Sequence, residues 1–239
     1  MDIAVVKRND FSKLYKEIQE DYILIVDSDD EVNEVTLHSL KGVSTEADIV
    51  IFDYVNRYQD KFEERKKSNT YHVPSSQMVK PMLAGYYSAT LRNKIFKKVL
   101  FRDVDIPDDM GRYSDLALCV EIFQQNHKVL YVPEIISTRA IEGERKKKGI
   151  IGKMIDVVST PEQLNEFDVF YKKMLSVLND ENKSFFYNVT AKQKSAWVNS
   201  GLIKMEEFNR HAPLPLRILL KQPWSRKSIF YMMLSYLRK

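Results

Sequence analysis

Three carboxylates follow directly on an apolar segment near the start of the chain. Residues 22–26 have the β-branched and aromatic character of a buried strand, and Asp27, Ser28, Asp29 and Asp30 come immediately after them. Carboxylates two residues apart on a turn can place oxygen ligands around a hard divalent cation, and such a cation can neutralise a diphosphate. The same residue types also suit an acidic turn that faces water. The segment therefore predicts either a phosphate-facing metal site or a plain surface turn.

Asp115 is the second carboxylate whose position suits chemistry. It precedes apolar residues at helical spacing, namely Leu116, Cys119, Val120 and Phe123, so its side chain should lie near the first amides of a helix. A carboxylate in a first helical turn is also favourable for electrostatic reasons alone. The position of Asp115 is thus compatible with catalysis and with simple helix capping.

Alternating strands and helices must position these carboxylates. Residues 3–6 and 22–26 are predicted strands, and a helix that Asp10 or Ser12 would cap lies between them, which gives a β-α-β unit ahead of the acids. Further predicted elements are a helix over 32–40, a strand over 48–55, a charged hairpin or loop over 57–70, a helix over 75–83 and a strand over 128–132 that ends at Pro133, with residues 135–139 as a candidate continuation of that edge. Strands and helices in alternation indicate an α/β domain.

Composition excludes several classes of protein. The single cysteine, Cys119, rules out an internal disulfide and fits a reducing compartment. The sequence has no long uncharged apolar run and no signal-peptide pattern, so we expect a cytoplasmic protein. No nucleic-acid partner is expected, because the clusters of basic residues are confined to one loop and the tail and no binding motif accompanies them.

Four segments in this order resemble the family 2 glycosyltransferases of GT-A fold, the enzymes of bacterial polysaccharide, teichoic acid and capsule synthesis. They are the acidic segment 22–30, the Asn-Lys segment 91–101, the segment 111–118 that contains Asp115, and the strand 129–133 that leads to Arg139. The resemblance covers roughly residues 10–145. It implies an α/β, GT-A-like (Rossmann-like) mixed sheet flanked by helices, placed here in residues 1–150.

The resemblance implies a donor side. Asp27, Ser28, Asp29 and Arg139 would bind the nucleotide-sugar, and Asp27 and Asp29 would hold Mn²⁺ or Mg²⁺ against its diphosphate. The implied activity is that of a metal-dependent, inverting glycosyltransferase of the hexosyltransferase type. It would move a sugar to a cell-surface polysaccharide or a lipid-linked acceptor.

The resemblance also implies an acceptor side. Asp115 would be the general base that deprotonates the acceptor hydroxyl for in-line attack. Asn93 and Lys94 would lie on this side, although Lys94 could equally pair with a carboxylate in the protein itself. The family has a Glu before the matching Asp, whereas this chain has Ser114. That exchange removes one charge next to the predicted base.

The segment ahead of the acids is short for the family. Only 26 residues precede Asp27, and one parallel crossover unit alone takes about 30, whereas the family places two further strands before this point. We therefore expect an N-terminally shortened domain: a piece of a longer protein, a mistaken start or a reduced relative. The last of these suggests an alternative function, a non-catalytic GT-A-like module that binds a partner glycosyltransferase or a glycan at the membrane.

Residues 151–239 are predicted to form a helical C-terminal region with a basic amphipathic tail. A capping box with Pro at the first helical position stands at 160–163. Residues 208–239 hold seven of the 37 basic residues and none of the 33 acidic ones. Residues 213–239 would contact the inner face of the membrane. Alternatively, they would pack on the GT-A-like body or on a partner chain, which could be a second copy of this chain. The basic loop 142–149 would either cover donor phosphates or stay solvated.

Overall fold

The computed structural model describes residues 2–40, 46–59, 61–68, 74–84, 86–104, 113–142 and 160–199. Within these ranges one mixed sheet has the strand order β1-β2-β6-β4-β7-β3, with β5 paired to β4. The strands are β1 (Ile3–Lys7), β2 (Tyr22–Val26), β3 (Glu31–Val32), β4 (Ile49–Tyr58), β5 (Glu63–Lys66), β6 (Lys94–Lys97) and β7 (Val129–Ile141). The predicted α/β class with a mixed, helix-flanked sheet is confirmed.

Helices cover both faces of this sheet. They are α1 (Arg8–Leu14), α2 (Glu34–Ser39), α3 (Ser75–Leu83), α4 (Ser114–Phe123), α5 (Pro161–Val177) and α6 (Asp180–Asn199), with 3₁₀ turns at Leu91–Asn93 and Lys98–Phe101. In the ranges given above, no helix combines the length and the apolar character needed to cross a bilayer.

Strand β2 is the centre of the site because of its two neighbours. It runs parallel to β1, with Lys7 beside Val26, so both strands end at the same edge of the sheet. It runs antiparallel to β6, with Leu24 beside Ile95. The residues that follow β2 therefore meet the residues that precede β6, which are far away in the sequence.

All five residues of β2 are buried, because each face of the sheet carries its own core. Ile23 and Ile25 pack in the cluster with α3, α4 and α5, whereas Leu24 and Val26 pack with α2 on the other face. Burying an aliphatic side chain of this size contributes about 1.5–3 kcal/mol. The strand that carries the acidic segment is thus rigidly held.

Two local predictions need correction. Helix α1 begins at Arg8, directly after β1, instead of at Asp10 or Ser12. Strand β7 does not end at Pro133 but continues to Ile141, so the candidate continuation over residues 135–139 belongs to the same strand. The ladder passes from Phe52–Val132 to Asp53–Ile135, so Pro133 lies in a bulge where its missing N–H costs no ladder hydrogen bond.

The C-terminal helices pack on the same core as the sheet. Thr160 caps α5 by accepting a hydrogen bond from the Gln163 backbone N–H, as the capping box predicts. Phe170 of α5 stacks on Tyr113, with 4.8 Å between ring centroids. The predicted domain boundary at residue 150, the loop after 142 and the membrane-contacting tail 213–239 lie outside the described residues.

Candidate functional site

Arg92 lies between the first and last carboxylates of the acidic segment. If the β2–β6 register is continued past the strand ends, Arg92 stands opposite Asp27. The Nη1 atom of Arg92 is 2.5 Å from Oδ2 of Asp27 and 3.5 Å from Oδ1 of Asp30. The guanidinium therefore pairs with two of the three carboxylates of the acidic segment. Its position next to them depends on the pairing of β2 with β6.

Asp30 is the buried last residue of the acidic turn, residues 27–30, and its side chain bonds back to the start of that turn. It is 6% exposed, and its Oδ2 accepts a hydrogen bond of 3.2 Å from the Asp27 backbone N–H. Burial raises the pKa of Asp30, against the opposing effect of Arg92. Ser28 and Asp29, in contrast, are exposed at the tip of the turn.

Asp115 contacts the 3₁₀ turn Leu91–Asn93, which contains Arg92, and the residue before it. Its Oδ2 accepts hydrogen bonds of 3.2 Å from the Thr90 hydroxyl and from the Leu91 backbone N–H. Its Oδ1 is 2.8 Å from Nη2 of Arg8, which stands at the carboxyl end of β1. Thr90 to Arg92 therefore connect Asp115 with Asp27, so the two predicted carboxylates lie on either side of one short stretch of backbone.

Lys94 fixes the shape of this turn from beneath. Its side chain is 1% exposed, and its ammonium donates hydrogen bonds to the carbonyl oxygens of Ser88 and Thr90 and to Oδ1 of Asn93, at 2.6–2.8 Å. Burial lowers the pKa of Lys94. Three acceptors match the three N–H donors of a charged ammonium, which favours the protonated form. Lys94 thus supports the site without reaching its surface.

Arg139 borders the site from strand β7. Its guanidinium carbon lies 5.2 Å from the centroid of the Tyr54 ring, a cation–π distance. Its charge acts on both Asp30 and Lys94, so it lies close enough to influence both groups. The hydroxyl of Ser137, two residues earlier, donates to the Arg92 carbonyl oxygen.

Lys7 adds a further cation at the end of β1. Its ammonium donates to the backbone carbonyl oxygens of Asp27 and Ser28, at 3.1 and 3.3 Å. Because β1 and β2 are parallel, Lys7 reaches the backbone of the acidic turn and Arg8 reaches the Asp115 carboxylate from the same strand end. In open α/β sheets this carboxyl end is where ligands bind.

The arrangement does not fit a divalent cation as it stands. The carboxylate of Asp27 is already paired with Arg92. Within the described ranges, no three His, Cys, Asp or Glu side chains form a group that could hold a metal ion. Mn²⁺ or Mg²⁺ at Asp27 and Asp29 stays a prediction.

The structure gathers most of the predicted site residues around one turn. The following five lie at or near the 3₁₀ turn Leu91–Asn93: Asp27, Asn93, Lys94, Asp115 and Arg139. Ser28 and Asp29 are at the exposed tip of the turn that follows β2. Sequence reasoning missed the following four residues: Lys7, Arg8, Asp30 and Arg92. Asp30 was within the acidic segment, but the partners of both arginines follow from strand pairing, for which the sequence carries no local signal.

Comparisons with known proteins give a partial likeness of fold. No protein-family model matches the chain, and the search of curated proteins found no match. Among solved structures, S. aureus TarS 1-349 in complex with UDP-GlcNAc is similar with a TM-score of 0.46 and 15% identity, over 86% of this chain and 57% of that one. TarS 1-349 in complex with UDP is similar with a TM-score of 0.49 and 14% identity, over 93% and 66%.

The chain thus spans less than two thirds of the length of these TarS chains. At TM-scores below 0.5 the likeness carries no argument about activity. The function of this chain has to be inferred from its site.

Proposed function

We propose that the chain binds a nucleotide-sugar in the crevice between Asp27 and Asp115 and transfers the sugar to a hydroxyl of a cell-surface polysaccharide or lipid-linked acceptor. One observation carries the proposal. The residues Thr90 to Arg92 join the two carboxylates, because Arg92 pairs with Asp27 while Thr90 and Leu91 donate to Asp115. The order of the four sequence segments that resemble family 2 glycosyltransferases supports it independently.

The donor diphosphate would face the cations at the carboxyl end of β1 and β2. Lys7, Arg92 and Arg139 lie around the acidic turn, and guanidinium groups suit phosphate oxygens because they donate two parallel hydrogen bonds. Metal dependence, which the acidic segment predicts, would require Asp27 to exchange Arg92 for the cation.

Asp115 would act as the base. The acceptor oxygen forms a bond to the anomeric carbon, the bond from that carbon to the diphosphate oxygen breaks, and the acceptor proton passes to Asp115. Attack from the face opposite the leaving diphosphate inverts the configuration. A carboxylate oxygen can accept two hydrogen bonds. Because Oδ1 of Asp115 is buried against Arg8, the acceptor hydroxyl would reach it only when Arg8 moves aside.

The contacts of Asp115 also support a second function, in which this carboxylate has a structural role. Both oxygens of Asp115 hold parts of the protein together, with Arg8 on one and Thr90 and Leu91 on the other. A carboxylate used in this way could be purely structural. The chain would then be a non-catalytic module that binds a partner glycosyltransferase or a glycan.

Titration calorimetry with nucleoside diphosphates and their sugars separates the two functions. The panel should include UDP and UDP-GlcNAc, the ligands in the TarS structures, each with Mn²⁺ and with a chelator. Saturable heat for at least one donor, with weaker binding in Arg139→Gln, is expected of the transferase. Absence of heat at millimolar concentrations of every donor, in a protein that unfolds cooperatively, overturns it.

A further inference from the structure

Arg92 occupies a well-defined place among the carboxylates. Its side chain is 15% exposed, and its Nη1 contacts both Asp27 and Asp30. Its Nε donates to the Thr90 hydroxyl oxygen at 3.5 Å, and its carbonyl oxygen accepts from Ser137. Both the side chain and the backbone of Arg92 are therefore anchored. Its charge is fixed in position, unlike that of a mobile surface arginine.

The described cations and carboxylates around the acidic turn are equal in number, so the turn carries no excess negative charge that would attract a divalent cation. Lys7, Arg8, Arg92 and Arg139 are the described cations that border it, and Lys94 lies beneath. The carboxylates at the same place are Asp27, Asp29, Asp30 and Asp115. A divalent cation would add like charge next to Arg92, which costs free energy at these distances.

We infer that Arg92 is the built-in cation of this site: it neutralises Asp27 and Asp30, keeps divalent metal ions off them, and makes nucleoside-diphosphate binding independent of metal. The inference rests on the proposed function in so far as it takes a nucleoside diphosphate as the ligand. The competition between Arg92 and a metal ion, however, can be measured without any nucleotide.

Mn²⁺ binding to the protein alone, followed by electron paramagnetic resonance of the free ion, tests the competition. Arg92→Met should bind Mn²⁺ at least tenfold more tightly than the wild type, because two carboxylates lose their counter-ion. Arg92→Lys, which keeps the charge, should remain as weak as the wild type. Arg57→Met is the matched control, since Arg57 also bridges two carboxylates, those of Glu31 and Glu63, but on an exposed surface.

Equal Mn²⁺ affinity in the wild type and Arg92→Met overturns the inference, as does an equal gain in Arg57→Met. If Arg92→Met does not fold, Arg92→Gln replaces it. Tight Mn²⁺ binding by the wild type that Asp27→Asn abolishes also overturns the inference.

The nucleotide arm uses UDP and the other nucleoside diphosphates, each with Mn²⁺ and with a chelator. A Kd that is the same within twofold supports the inference. Binding that disappears with the chelator overturns it and leaves the proposed function intact. Absence of binding under both conditions removes the proposed function and the metal-independence claim, while the Mn²⁺ experiment still decides the role of Arg92.

Discussion

Asp115 accepts a hydrogen bond from the backbone N–H of Leu91 at 3.2 Å, and this contact ties the first turn of α4 to the turn that precedes β6. The next residue, Arg92, reaches Asp27. Two acidic regions that are far apart in the sequence are thereby joined through two consecutive residues. The consequences of this connection can be measured at several positions.

Asp115→Asn should separate binding from transfer. The amide keeps the shape and the acceptor oxygen of the side chain but cannot take a proton from an acceptor hydroxyl. We expect kcat for release of the nucleoside diphosphate, from whichever sugar donor binds in calorimetry, to fall by about 10²–10⁴-fold while donor affinity changes little. Steady-state kinetics and calorimetry on the same samples provide the comparison. Unchanged kcat would show that Asp115 is structural.

Lys94→Met should destabilise the protein and loosen the turn. The variant leaves the carbonyl oxygens of Ser88 and Thr90 and the buried Oδ1 of Asn93 without their donor. We expect a loss of about 2–5 kcal/mol in the free energy of unfolding, measured by urea denaturation. Lys66→Met, at a partly exposed ion pair with Glu64, is the control and should cost less than about 1 kcal/mol. Equal losses in the two variants would contradict the role given to Lys94.

Phe170→Ala should show that the C-terminal helices stabilise the site. Phe170 is fully buried and stacks on Tyr113, two residues before Asp115. Truncating a buried Phe costs about 3–5 kcal/mol. Phe62→Ala, on the β4–β5 hairpin where the ring is 38% exposed, is the matched control. A loss for Phe170→Ala no larger than that of the control would mean that α5 is not part of the cooperative core.

The Asp48–Lys97 pair gives a pH dependence with a definite sign. Burial pushes the pKa of Asp48 upward, but hydrogen bonds from Lys97, at 2.7 Å, and from the Lys128 backbone N–H outweigh it, so the pKa lies below its usual value. A carboxyl whose pKa is lower in the folded state stabilises the fold above its ordinary pKa of about 3.9 and loses that contribution as the pH falls through the folded value.

Asp48→Asn should therefore lower the free energy of unfolding by about 1 kcal/mol at neutral pH, and the difference from the wild type should close as the pH falls below about 4. Urea unfolding at several pH values measures it. Glu17→Gln, at an exposed position, should show no such trend. A difference that grows toward acid pH would mean that the sign is wrong.

The sequence predicts β2 well and the pairing of its end poorly. Five apolar residues followed by acids identify a buried strand and a turn whatever the rest of the fold does. Strand β6 is harder to predict, because Lys94-Ile95-Phe96-Lys97 is short and lysines flank its two apolar residues. It is a strand because β2 and β4 pair with it on either side.

Lys94 and Arg92 show why the site was only partly predictable. A lysine is usually exposed, so nothing local marks Lys94 as fully buried. Arg92 comes opposite Asp27 only through the antiparallel register of β2 and β6, which is a long-range property. Asp27 and Asp115 were identified because acids after a strand and at a helix start are local signals.

Hydrogen–deuterium exchange of the full chain, with and without a saturating nucleotide-sugar, tests most directly whether the two acidic regions form one crevice. We expect the ligand to slow amide exchange in three segments together: 27–31 after β2, 89–93 before β6, and 113–117 at the start of α4. Slower exchange in only one of these segments, or elsewhere such as the β4–β5 hairpin, would contradict a shared site for the sugar donor and its acceptor.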